Sequence, residues 1–267
     1  MRDKPANPVS GSTEPALLMN GLAVGSLRGS GIAVAEEINW TVNLGEFWVV
    51  AGMQGSGKSD FLMLAGGLMA PLRGQYHFFG EEMPIFEGER MARRLRLGLV
   101  FDGGQLFNHL TVRENVALPL RYHRDLNLEA AEPEVERLLE AMELSAVANA
   151  LPATLARSWQ KRVGLARALI LRPQVLLVDN PLFGLDFRHA KWWLDFLGQL
   201  SEGHSFLADG PMTIVATTAD LRPWKGRAHK YAVLKNRRLT VLGDWTVTAA
   251  ANPELLHELW TRAPANQ

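Results

Sequence analysis

Apolar and polar positions alternate in two different ways along this chain. From Leu17 onward, short apolar runs are broken by Gly and Ser: Leu17–Leu22, Ile32–Val34, Ile38–Val42 and Phe47–Ala51. Runs of this length with such breaks predict a β-rich segment. After Phe47–Ala51 the period changes, and Lys58–Leu68 reads as a helix closed before Pro71. Arg73-Gly74-Gln75 then predicts a turn, Tyr76–Phe79 a short strand ended by Gly80, and Leu97–Phe101 a further strand. Between Leu106 and Ser158 the pattern is helical. Thr111-Val112-Arg113-Glu114 has capping-box spacing, and Glu129–Met142 is a charged amphipathic run. Leu155–Ile170 continues as a helix that stops before Pro173.

The last third repeats the alternation of strand and helix. Val175–Val178 is a continuous apolar run, as expected of a strand buried on both faces of a parallel sheet, and Met212–Thr217 is similar. Tyr231–Leu234 and Leu239–Leu242, joined by Lys235–Arg238, predict a hairpin. Asn252-Pro253-Glu254 predicts the start of a final helix, with proline at its first position. Strands alternating with helices imply an α/β fold.

The junction at Phe47–Leu64 carries candidate chemistry. Gly52-Met53-Gln54-Gly55-Ser56-Gly57-Lys58-Ser59 has the G-x-x-x-x-G-K-S pattern, with a strand before it and a helix after it. Glycine lets backbone approach a phosphate without a Cβ in the way. The N–H groups of the loop and first helical turn face an anion there. Lys58 supplies a point charge for β- and γ-phosphates, and Ser59 a hydroxyl for Mg²⁺.

Composition narrows the classes. The 267 residues suffice for one large or two small domains. Lys plus Arg and Asp plus Glu both number 28, so no bulk electrostatic partnership with nucleic acid is expected. There is no cysteine, which suits a reducing compartment. The longest apolar runs are about a dozen residues, short of a membrane span. Residues 1–16 read as a polar tail without the apolar core of a signal peptide. Membrane association is therefore expected through a partner.

Further along, VLLVDNPLFGLD (175–186) resembles the Walker B and D-loop of ABC-transporter ATPases. LGLVFDGGQLFNHLTVRENVALPLRYH (97–123) looks like the Q-loop region of the branch that powers MCE-type lipid transporters. KRVGLARALILRP (161–173) resembles the helix after the ABC signature. The resemblance implies a P-loop NTPase (RecA-like) α/β core with an antiparallel β subdomain and a helical subdomain. It would cover residues 17–250, with the helical part at about 106–160 and a C-terminal helix and tail at 251–267. It further implies ATP and Mg²⁺ as ligands, with Gly52, Gln54, Gly55, Ser56, Gly57, Lys58, Ser59 and Asp60 around the phosphates. Ser59 and Asp179 would serve the metal. Partners would be an integral membrane permease and a second ATPase subunit, in a homodimer or heterodimer on the cytoplasmic face of the cell membrane.

Several positions depart from the family pattern. The Glu that activates water falls on Asn180, and an amide cannot accept that proton, a contribution of roughly 10²–10⁴ in rate. The switch His falls on Ala219, which cannot hydrogen-bond a phosphate. The Q-loop Gln falls on Asp102, whose carboxylate is repelled by a triphosphate unless Mg²⁺ intervenes. Gln105 lies three residues on, about 10 Å in extended chain. The signature L-S-G-G falls on Leu155-Ala156-Arg157-Ser158. Arg157 then reads as a solvated arginine on an altered loop, or as a finger reaching the opposite chain's phosphate. Asp60 is expected to compete with a bound anion, while stabilising an empty helix N-terminus. Gly21–Gly31 contains no aromatic to stack on adenine, a contact worth about 1–3 kcal/mol. Trp40 and Trp48 are expected in the core, and of Trp192 and Trp193 one in the core and one at an interface. Three functions follow as alternatives: a subunit that hydrolyses slowly or not at all, a working ATPase with substitute residues, or a nucleotide-free scaffold.

Overall fold

The computed structural model describes residues 14–27, 29–83, 91–204 and 210–251. Its centre is a six-stranded sheet in the order β10-β9-β3-β8-β7-β6. These strands are β3 (Phe47–Ala51), β6 (Leu97–Val100), β7 (Val175–Val178), β8 (Thr213–Thr218), β9 (Lys230–Lys235) and β10 (Arg238–Gly243). All pairings are parallel except β9 with β10, a hairpin. The apolar runs explain the burial. In β3, Phe47, Val49 and Ala51 enter one core while Trp48 and Val50 enter the other. β7 divides in the same way, with Leu176 and Val178 on one face and Val175 and Leu177 on the opposite face. A strand buried on both faces cannot alternate apolar with polar residues.

One face is covered by α3 (Val112–His123), α4 (Leu128–Ala141), α5 (Arg157–Leu169) and α6 (Phe187–Glu202). On the other face lie α1 (Lys58–Ala65) and a four-stranded antiparallel sheet in the order β2-β1-β4-β5. That sheet is made of β1 (Leu17–Ser26), β2 (Gly29–Val42), β4 (Arg73–Phe78) and β5 (Glu81–Glu82). A short helix, α2 (Met91–Arg94), precedes β6, and α7 (Trp245–Ala251) follows β10.

The expected core tryptophans are in place. Trp40 and Trp48 are buried and meet edge to face at 5.3 Å. Trp193 is fully buried, whereas Trp192 stacks on Phe196 at 4.8 Å and lies against the Arg162 guanidinium. The capping box forms at Thr111: its N–H donates to the Glu114 carboxylate at 2.8 Å, and its hydroxyl accepts from the Glu114 N–H.

Four boundaries differ from the sequence reading. The separate apolar runs Leu17–Leu22, Ile32–Val34 and Ile38–Val42 are parts of two long strands, β1 and β2, whose register shifts repeatedly. Each shift resets the side-chain alternation, which is why the runs look discontinuous. Arg73-Gly74-Gln75 is not a turn but the start of β4. Gly74 has φ +84°, and a Cβ there would meet the Gly21 carbonyl oxygen at 2.5 Å, so its glycine marks close strand packing. Helix α1 ends at Ala65, before Pro71, because Gly66 and Gly67 follow, the latter at φ +68°. Helix α5 begins at Arg157 rather than Leu155. The predicted helix at Asn252 and most of residues 1–16 lie outside the described residues.

The loop after β6 packs directly on α5. Gly104 (φ +80°) and Gly164 face each other, and a Cβ on Gly164 would lie 2.7 Å from the Gly104 Cα. Alanine in a helix interior ordinarily gains up to about 1 kcal/mol over glycine. Overpacking costs about 1–3 kcal/mol. Gly164→Ala is therefore expected to lose about 1–2 kcal/mol in urea denaturation; a gain would show that the contact yields easily.

Candidate functional site

The parallel register brings the site together. Ala51 pairs with Thr218, Val178 with Ala216, and Val100 with Val178. Strands β3, β6, β7 and β8 thus end at one edge. The loops after them carry Lys58, Asp102, Asp179, Asn180 and Ala219. In open α/β sheets this carboxyl edge is where ligands bind.

The loop between β3 and α1 forms a cradle. The Gly52 N–H donates to the Thr218 carbonyl at 3.1 Å, fixing the loop to β8. A Cβ on Gly52 would meet the Leu234 carbonyl and the Ser56 hydroxyl, both at 2.6 Å. Gly57 is the N-cap of α1 at φ +90° and has no side chain to cap the first turn. The first-turn amides therefore lack a capping side chain from that position, which suits an anion. Gln54, Gly55 and Ser59 are exposed, and Ser56 is half-buried.

Lys58 is buried, at 6% exposure. Its ammonium donates to the carbonyls of Gly52 at 2.6 Å and Met53 at 2.8 Å, with Ser56 Oγ at 3.4 Å. Burial lowers its pKa to about 8, and the nearby Asp179 carboxylate opposes that drop. To reach an anion, Lys58 exchanges these carbonyls for it. Asp60 lies in the first turn of α1, and its Oδ1 accepts the N–H of Leu27 at 2.9 Å. The carboxylate expected to compete with an anion is thus engaged with the end of β1.

At the end of β7, Asp179 is nearly buried and accepts the Thr217 hydroxyl at 2.7 Å. The same hydroxyl accepts the Asn180 N–H at 3.0 Å. Asn180 has φ +50°, a conformation that Asn tolerates better than most residues. Ala219 follows β8 directly and is half-buried.

Asp102 and Arg157 are brought together, 3.0 Å apart. Lys161, one turn further along α5, reaches the same oxygen, Asp102 Oδ1, at 2.9 Å. Neither contact is an aligned hydrogen bond, so both act as ion pairs. Arg157 is neither free in solvent nor extended away from the chain; half of it is exposed, and its guanidinium lies 5.9 Å from the Phe183 ring. Lys161 also donates to the carbonyls of Asn180 at 2.8 Å and Pro181 at 3.3 Å. Arg167 donates to the carbonyls of Gly104 at 2.8 Å and Gln105 at 3.0 Å. Gln105 itself is exposed, at φ +47°. Lys161, Arg167 and Thr217 were not singled out from sequence. The four-residue spacing of Arg157 and Lys161 places them on one helix face, but only the fold supplies their carboxylate.

The buried Lys58 sets a pH dependence. Its folded-state pKa of about 8 lies below the ordinary 10.5. The unfolded chain therefore holds the proton through a window in which the folded chain has released it. Stability from this group is fully present above 10.5 and is lost as pH falls through about 8. Denaturation of the ligand-free chain is expected to gain up to about 1.4 kcal/mol per pH unit across that window. Lys58→Met should lack the gain; equal slopes in both proteins would contradict the assignment.

Comparison with known proteins agrees with this geometry. Residues 35–183 match the family model described as ABC transporter. The methionine import ATP-binding protein MetN 2 of Paraburkholderia xenovorans is 31% identical over 262 residues, covering 94% of this chain and 66% of that protein. The intermembrane phospholipid transport system ATP-binding protein MlaF of Escherichia coli is 35% identical over 154 residues, 57% of each chain. This chain thus spans roughly half to two thirds of these relatives' length. Among solved structures, the ATP-binding cassette MJ0796, in a dimeric post-hydrolysis state bound to ADP and Pi, superposes with a TM-score of 0.74 at 27% identity. That match covers 84% of this chain and 96% of the other. Family match, phosphate cradle and sheet order agree: the chain has the P-loop α/β fold of ABC ATPase cassettes and belongs to the ABC transporter family of ATP-binding subunits.

Proposed function

We propose that this chain is a nucleotide-binding ABC subunit that hydrolyses ATP slowly or not at all and docks on an integral membrane permease. The carrying observation is Asn180. It stands immediately after the buried Asp179, where the family resemblance expects the water-activating Glu, and its amide has no proton-accepting form at neutral pH. Two further departures support the reading. Ala219 has no polar side chain, and Asp102 is already held by Arg157 and Lys161.

In this reading the amides of Gly52, Gln54, Gly55, Ser56 and Gly57, with the ammonium of Lys58, hold the phosphates of ATP. Asp60 borders the cradle from the first turn of α1. Ser59 and Asp179 would hold Mg²⁺, which when bound neutralises phosphate charge. Asp179 keeps the metal side anionic, and Thr217 keeps Asp179 oriented. The ATPase domain would comprise residues 17–250 with the helical part at about 106–160, flanked by a tail at 1–16 and a C-terminal helix and tail at 251–267.

The partners are a permease and a second ATPase subunit, identical or different. Asp102–Tyr122 would form the docking surface, and the exposure of Phe107 (47%) and Tyr122 (81%) supports that choice. No described helix is long and apolar enough to cross a membrane, so attachment on the inner face of the cell membrane is assigned to the permease. A lipid cargo is favoured by residues 97–123 and by the likeness to MlaF. The longer alignment with the methionine import protein favours an amino acid instead. Co-purification with a permease, and assay of what that complex moves, separates the two.

Mg-ATP at about a hundred times its Kd should stabilise the chain by about 2.7 kcal/mol. Lys58→Ala should abolish that thermal shift; no shift in the unaltered protein would mean a nucleotide-free scaffold. Turnover of the reconstituted complex should be low, and Asn180→Glu should raise it about tenfold or more. An ordinary rate in the unaltered protein, lost on Lys58→Ala, would instead establish a working ATPase with substitute residues.

A further inference from the structure

Three separated segments converge on one buried nitrogen. Lys161 Nζ belongs to a side chain only 2% exposed. It meets Asp102 Oδ1 at 2.9 Å, the Asn180 carbonyl at 2.8 Å and the Pro181 carbonyl at 3.3 Å. Asp102 comes from the loop after β6, and Asn180 and Pro181 come from the loop after β7. Two of the three ammonium N–H donors are taken by the carbonyls, and the Asp102 carboxylate balances the charge as an ion pair. A buried ammonium tolerates such a site only while its carboxylate stays in place. Asp102 and the Asn180 carbonyl thus meet at one nitrogen through two short contacts, although 78 positions separate them in sequence.

The loop after β6 also has little freedom of its own. Its Gly104 and Gln105 carbonyls are held by Arg167, and Gly104 lies against Gly164. The loop after β7 is anchored elsewhere by the Thr217 hydroxyl, through Asp179 and the Asn180 N–H, and by the Asp179 N–H donating to the Val100 carbonyl at 2.8 Å. Lys161 holds the peptide on the other side of residue 180 through the Asn180 carbonyl, which also accepts the Phe183 N–H at 3.2 Å. The left-handed backbone of residue 180, and hence the direction of its side chain, is flanked by the Thr217 contact on one side and by the Lys161 and Phe183 contacts on the other.

We propose that Lys161 is a positioning residue that makes the loops after β6 and β7 respond as one body, with the carboxylate of Asp102 holding the backbone at Asn180 in its left-handed conformation. Loss of the Asp102 charge then loosens a segment that Asp102 does not touch. Arg157 provides the control. It pairs with the same oxygen of Asp102, but it is half exposed and makes no hydrogen bond to the Asn180 or Pro181 carbonyl. The proposal concerns the ligand-free chain and stands or falls independently of nucleotide turnover.

Amide hydrogen exchange of the full chain without nucleotide tests it. In Asp102→Asn, the hydrogen-bonded amides of Asn180 and Phe183 should exchange about tenfold faster, the size expected when contacting groups in one network are uncoupled. In Arg157→Met they should stay within about twofold of the unaltered protein. Asp102→Asn combined with Lys161→Met should be no worse than Lys161→Met alone. The proposal is overturned if Asp102→Asn changes only residues 101–105, if Arg157→Met matches it, or if exchange rises evenly across β3, β7 and β8. Should Lys161→Met fail to fold, the Asp102→Asn and Arg157→Met pair decides the matter.

Discussion

Parallel pairing of β3 between β8 and β9 is the constraint on which the rest of this molecule depends. The register Ala51 with Thr218 and Ala51 with Val233 makes the central strands stop together. Each of these strands contributes apolar side chains to both faces, so two separate layers must cover the sheet. Helices α3 to α6 supply one layer, and α1 with the antiparallel sheet supplies the other. With both faces closed, the carboxyl edge is the place where the loops can carry polar groups without burying them unpaired. The cradle, Asp179, Asn180, Asp102 and Ala219 all lie there as a consequence of register rather than of sequence proximity.

How much of this was legible in the residues follows from the range of each interaction. Phe47–Ala51 and Val175–Val178 are two-faced strands, and an unbroken apolar run states that directly. The G-x-x-x-x-G-K-S loop is legible because its chemistry is local: glycine geometry, a helix start and one lysine. The Thr111 capping box is local too. The hairpin of β1 and β2 was not legible as long strands, because its bulges reset the alternation on which the reading relies. Arg73–Gln75 failed for a related reason. Glycine marks a turn in sequence but can equally mark a close backbone approach, and Gly74 against Gly21 is the second kind. Trp192 has a neighbour that periodicity could not supply, the Arg162 guanidinium 3.8 Å from its ring.

The charged cluster at Asp102 illustrates what single positions conceal. Taken separately, Asp102 beside a triphosphate and Arg157 in the signature each suggest damage. Folded, each is the other's partner, and the Asp102 carboxylate is shared between Arg157 and Lys161. The two pairs do not weigh equally. Arg157 is 53% exposed, so solvent screens its interaction and little stability rests on it. Lys161 is buried, so its charge depends on Asp102, and removing only one of the two leaves a charge stranded in the protein. Replacing both is the milder change, because the cost lies in the unpaired group rather than in the lost attraction.

Asp60 extends the same logic to the cradle. A carboxylate in the first turn of a helix is favourable to the helix whether or not an anion is present. Here it also fixes Leu27, at the end of β1, through a backbone N–H. The antiparallel sheet is thereby tied to the turn that begins with Lys58. Lys58 in turn is tied to Gly52 and Met53. The cradle is therefore closed by its own contacts, and an incoming anion must outcompete carbonyls for Lys58 while leaving Asp60 its partner Leu27, just after β1. Affinity at this site depends on that exchange, because the gain from each phosphate contact is reduced by the intramolecular bond it replaces.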